Sequence, residues 1–252
     1  MKNLKLGLRP RKFHARTLCL NDYVRDDLLP DPGPQDWTPL VTAAVGQDWG
    51  MDGNDAVGDC AAAMWSHGKM LFTANTGSIV VPTTSDTLAL YSAVTGYDPA
   101  QTQPDGSNPT DQGTVMTDLL AYLQKTGEIL AWAEFDGTKL LRYRQAVNLF
   151  GAAFVGVNIR QSDMDAFNDG NAWQPGTDEI EGGHAIVCPE VAANGLTYIT
   201  WGKAQAAMAA WAAQETQEAY VVITPAWFKQ AAQITPAGLN LRQLQSDLNL
   251  LK

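Results

Sequence analysis

Cys60 and His184 are the residues of this sequence best suited to do covalent chemistry together. Asp59 and the alanine-rich run CAAAMWSHGKMLFTA predict a helix from about Cys60 to Ala74, so the cysteine opens it. There the positive end of the helix dipole favours thiolate over thiol, and thiolate is the nucleophilic form. A thiol nucleophile needs a histidine from elsewhere in the chain as base and ion-pair partner. Three are available. His14 lies near the N-terminus. His67 shares a helix face with Cys60 but sits about 10 Å further along the axis at ~1.5 Å per residue. His184 opens a β-rich run after Gly182-Gly183, where small residues let an imidazole project into a cleft. Alone, each has a plain structural role open to it, as a small buried core residue or a strand-opening histidine; the pair carries the chemistry.

No metal site is expected, because paired spacings such as CxxC or HExxH are missing. No cofactor is expected either. Gly50, Gly53 and Gly58 are spaced as turns of an irregular loop, without the strand and helix that phosphate loops require.

The elements that must position the pair fall into two halves. After the Cys60 helix, capping oxygens at Thr84-Ser85-Asp86 start a second helix that ends at Gly96. Thr117–Lys125 and Lys139–Phe150 read as a third and a fourth. From Gly151 the runs AAFVGVNI, HAIVCPEV, LTYITW and EAYVVI read as antiparallel strands. The alanine-rich KAQAAMAAWAAQ between the last two is expected to be helical, with Trp201, Met208 and Trp211 packing core. An α-rich half followed by a β-rich half predicts an α+β domain with a cleft between the halves.

The 252 residues are 45% hydrophobic with a net charge of -10, which argues against general nucleic-acid affinity. Three scattered cysteines, an odd number, suit a reducing compartment rather than a disulfide framework. With no apolar run of signal or membrane-span type, the chain is expected to be cytoplasmic when made, without membrane contact. Lys2, Lys5, Arg9, Arg11, Lys12 and Arg16 make residues 1–34 a basic arm with a stiff connector of Pro30, Pro32 and Pro34, and the main domain is expected from about Gln35 to 252. In the tail, Leu241, Leu244, Leu248 and Leu251 form an apolar stripe suited to packing on the domain or on a partner.

Taken together, these residues resemble the papain-like cysteine proteases over roughly residues 50–224. In that family a glutamine stands six residues before the nucleophile, the cysteine opens a long helix, and a later Gly-His opens a strand followed by Trp-Gly. Asn54, Cys60, Gly183-His184 and Trp201-Gly202 hold those places here. DQGTVMTDLLAYLQKTG resembles the family's glycine turn and following helix, and LYSAVTGYD its helix ending in tyrosine. GNDAVGDCAAAMWSHG, GGHAIV and TWGKAQAAMAAW look most like papain-like proteins encoded by phages and prophages. The resemblance implies catalytic roles for Cys60 and His184 and an oxyanion donor at Asn54.

Departures from the pattern bear on activity. Where the family has the asparagine that orients the histidine, this sequence has Ile199, which accepts no hydrogen bond; Thr200 could replace it only through a shifted strand, and Asp178, Glu179 or Glu181 only if the preceding loop folded back. The amide at position 54 is shortened, the tryptophan after the cysteine is replaced by Ala61, and Asp59 opposes thiolate formation unless it caps the helix and points away. The leading expectation is therefore a phage-type virion or assembly component with a degenerate site, joined to other virion proteins or to its own copies through the arm. The alternatives are an active cysteine peptidase or amidase, and a non-catalytic module that binds a host protein.

Overall fold

The run AFVGVNI is apolar on both of its faces, and such a strand is stable only between two covered surfaces. In the computed structural model, which describes residues 4–14, 17–20, 30–228, 234–238 and 240, this run is β4 (Ala153–Arg160). It pairs antiparallel with β5 (Ile180–Val191) on one side and β8 (Thr216–Ile223) on the other. Beyond β8 come β3 (Ala131–Glu134) and, in parallel, β1 (Leu18–Cys19). Beyond β5 come β6 (Gly195–Thr200) and β7 (Lys203–Met208), while β2 (Gln35–Asp36) pairs with the end of β5.

Alternation along the strands sends side chains to two separate cores. Phe154, Ala185, Val187 and Ile199 meet Met64, Trp65 and Phe72 of α2 (Cys60–Thr76) and Leu119 and Leu123 of α4 (Met116–Thr126). Val41 of α1 (Pro39–Val45) joins them. On the other face, Val155, Ile186, Tyr198 and Val221 pack on α5 (Leu140–Phe150), α6 (Gln161–Asp169) and α7 (Ala209–Glu215) through Tyr143, Val147, Phe167 and Trp211. Outside α2 lies α3 (Thr84–Thr95), whose Tyr91 packs on Ala62. Its cap is Thr83, just before the expected Thr84-Ser85-Asp86, in a reciprocal box with Asp86 of that group.

The α+β class is the expected one, with two corrections. Only the second half of the alanine-rich insert is helical. Trp201 and Gly202 turn the chain at positive φ, and residues 203–208 pair with β6 instead, burying Gln205 and Ala207 while Ala204, Ala206 and Met208 face out. Sheet pairing thus overrides alanine's helix preference. The second concerns the open cleft, which is not seen: residues 4–9 lie along the seam between the start of α2 and β5. The leucine stripe from Leu241 onward lies outside the described residues. Among the described residues, no helix is long and apolar enough to cross a membrane.

Candidate functional site

Cys60 is the first residue of α2, as expected, and is 2% exposed. Burial pushes its thiol up to about 12, against the opposing influence of the Ala185 backbone and, more weakly, of Gly7 and Ala61; the neighbouring Asp59 charge adds to the rise. Asp59 does not cap the helix. Its backbone lacks the extended conformation in which a cap residue reaches back to the first turn. Its carboxyl points inward instead, fully buried, with neither oxygen hydrogen-bonded. Burial raises this acid to about 8, so it is largely neutral at pH 7.

His184 stands on β5 opposite Val157, and its ring stacks on Trp201 at 4.3 Å between centroids. Its Nε2 lies 2.7 Å from Thr200 Oγ1. The hydrogen bond to the imidazole that Ile199 cannot make is made by Thr200, and the reason is sheet alternation. Ile199 faces the α2 side with its partner Val187, whereas Thr200 emerges on the face of Tyr198 and Ile186, where His184 also stands. A register shift in the β5–β6 pairing between Val187 and Glu190 accompanies this placement. A threonine hydroxyl can accept from Nε2–H, which leaves the lone pair on Nδ1. That Nδ1 is buried without a hydrogen-bond partner, and burial pulls the imidazole down to about 3. Cys60 and His184 are both neutral in this state, and the thiol does not bond to the imidazole.

The seam is filled by the chain's own N-terminal segment. Leu8 N–H donates to the Gly183 carbonyl (3.1 Å), Thr114 N–H to the Gly7 carbonyl (2.8 Å), Arg9 N–H to the Thr114 carbonyl (2.9 Å) and Lys5 N–H to the Asn54 carbonyl (3.2 Å). Trp201 Nε1–H donates to the Lys5 carbonyl at 3.3 Å. Leu4 is buried in the core on the α5 side of the sheet, and Leu8 packs on the α2 side. The alternation Leu4-Lys5-Leu6-Gly7-Leu8 is a strand signal that could have shown this docking in the sequence.

Asn54 is 2% exposed, and its Nδ2 donates to the Val57 carbonyl at 3.1 Å, within its own loop. His67 is likewise engaged elsewhere, 2.9 Å from the Gly50 carbonyl and 3.5 Å from Asp52. Among the described residues, no group of three or more His, Cys, Asp or Glu side chains is placed to hold a metal.

No protein-family model matches the sequence, and neither does any curated protein. Solved structures do match the fold. Xylellain, a cysteine protease from Xylella fastidiosa, superposes with a TM-score of 0.52 at 13% identity over 88% of this chain and 97% of that one. Digestive procathepsin L2 proteinase from the larval midgut of Tenebrio molitor gives a TM-score of 0.51 at 13% identity over 88% of this chain and 79% of that one. With the helix that Cys60 opens packed on the strand that carries His184, the chain has the fold of the papain-like cysteine proteases.

Proposed function

We propose that this chain is a cysteine peptidase or amidase whose site is closed by its own N-terminal arm. The observation that carries the reading is the Thr200–His184 hydrogen bond, which fixes the imidazole and leaves Nδ1 as the nitrogen available to a thiol. When the arm lifts and water enters, the burial that keeps both groups neutral falls, and the Cys60 proton passes to His184 Nδ1. The thiolate attacks a substrate carbonyl carbon, and the Cys60 N–H stabilises the oxyanion, joined by Asn54 if its amide turns from Val57. His184 protonates the departing amine as the C–N bond breaks. Water, deprotonated by His184, then cleaves the thioester and restores the thiol.

The test is covalent labelling of the full-length chain with a peptidyl epoxide. Stoichiometric modification of Cys60 that His184→Ala abolishes supports the reading; unchanged labelling in that variant opposes it.

A second reading draws on the neutral, unpaired state of both groups: a phage-type assembly component, cytoplasmic when made and carried in a virion, that keeps the scaffold without turnover and uses its basic arm to hold protein partners. Under it, Cys60 would react no faster than an ordinary thiol even with the arm displaced.

A further inference from the structure

The docked arm displays which polypeptide this seam accepts. At Gly7 the fit is set by backbone, not by side chains that could swing aside. A Cβ on that residue would lie 2.0 Å from the Gly58 carbonyl oxygen, and a Cβ on Gly113 would lie 2.2 Å from the Gly7 oxygen. Real Cβ contacts do not approach so closely, so a chain passing here in this conformation carries glycine. The residues on either side are read differently. Leu6 lies over Gly182, where an added Cβ would come within 3.1 Å of its side chain. Leu8 lies over Gly183 and Gly156: a Cβ added at Gly183 would meet the Leu8 backbone oxygen at 2.8 Å, and one added at Gly156 would meet the leucine side chain at 2.7 Å. The glycines of the walls make room for the leucines of the arm, and the glycine of the arm makes room for the walls. Hydrogen bonds to Gly183, Thr114 and Asn54 use only the arm's backbone, so they would hold any extended segment of the same shape.

We propose that the seam selects an extended polypeptide segment with glycine opposite Gly58 and a leucine on each side, and that Leu6-Gly7-Leu8 is the chain's own copy of that ligand. This names the substrate class of the site proposed above and rests on that reading for its catalytic meaning. It differs from simple steric cover, because a cover needs no glycine and a selective groove does.

The experiment uses full-length Gly7→Ala and Leu8→Ala chains and reads Cys60 alkylation by iodoacetamide with mass spectrometry. Both substitutions should loosen the arm and speed alkylation by about tenfold or more, the alanine at 7 by collision and the one at 8 by lost packing. On the Leu8→Ala chain, which only removes atoms, the peptide LKLGLRP should restore slow alkylation, whereas LKLALRP at the same concentration should protect about tenfold less or worse. Equal protection by the two peptides, or protection by neither, overturns the proposal. Failure of the peptidase reading shows separately, as an ordinary thiol pH profile for Cys60 in the same variant without added peptide.

Discussion

Thr200 holds His184 through a 2.7 Å hydrogen bond in which Nε2–H donates to Oγ1. Both residues are buried, so removing the hydroxyl strands an imidazole nitrogen without water to replace it. Thr200→Val, which keeps the shape, should lower unfolding free energy by about 1–3 kcal/mol, and Thr200→Ser should recover most of that. Urea denaturation at pH 7 measures it. Equal stability of the valine variant would mean that the bond does not hold the ring.

Asp59 gives the protein a pH dependence of definite sign. Its folded-state value is raised by burial from 3.8 to about 8, so between those values the unfolded chain has released a proton that the folded chain keeps. The stability that this acid contributes is fully present below about pH 4 and is lost as pH rises towards about 8. Asp59→Asn should therefore gain stability relative to the parent as pH rises from 4 to 8, by an amount of order a few kcal/mol. A constant difference across that window would contradict the assignment.

In the unmodified chain Cys60 should be far less reactive than Cys19, which is exposed. Alkylation at pH 7 with site-resolved mass spectrometry should show a difference of about a hundredfold or more. Comparable rates would mean that the arm leaves the seam freely.

Salt distinguishes what holds the arm. Its described ion pairs, Arg11–Glu134 and Lys12–Asp118, are partly exposed and contribute little, whereas the hydrogen bonds around Gly7 and Leu8 are backbone contacts. Raising ionic strength to about 1 M should change Cys60 alkylation by no more than about threefold. A much larger acceleration would make charge the dominant tether.

The fold was legible where a pattern is local. The short β-rich apolar runs AFVGVNI and EAYVVI and the alanine-rich helix after Cys60 gave the α-rich and β-rich halves. The pairing of Cys60 with His184 rests on elimination among three histidines and stays a proposal. What stayed hidden depends on partners distant in sequence. Alanine prefers helix, yet Ala204–Ala207 became strand because β6 offered an edge to pair with. Position 199 read as a missing hydrogen-bond acceptor, since which of Ile199 and Thr200 faces the histidine follows from the pairing of β6 with β5. Leu4 to Leu8 read as part of a basic arm because its charges outweighed the alternation beneath them, and only Gly58, Gly113 and Gly183 from other parts of the chain explain where it lies. The acidic side chain before Cys60 drew attention as a charge, whereas its burial leaves it largely neutral at pH 7.

The central claim is that lifting the arm turns two neutral groups into a thiolate–imidazolium pair. The direct test is the pH dependence of Cys60 alkylation by iodoacetamide in Leu8→Ala, compared with the same chain carrying His184→Ala. The account predicts fast alkylation that persists well below pH 7 and disappears when the histidine is removed. A rate that follows an ordinary thiol with a pKa near ~8.5, the same with and without His184, would contradict it.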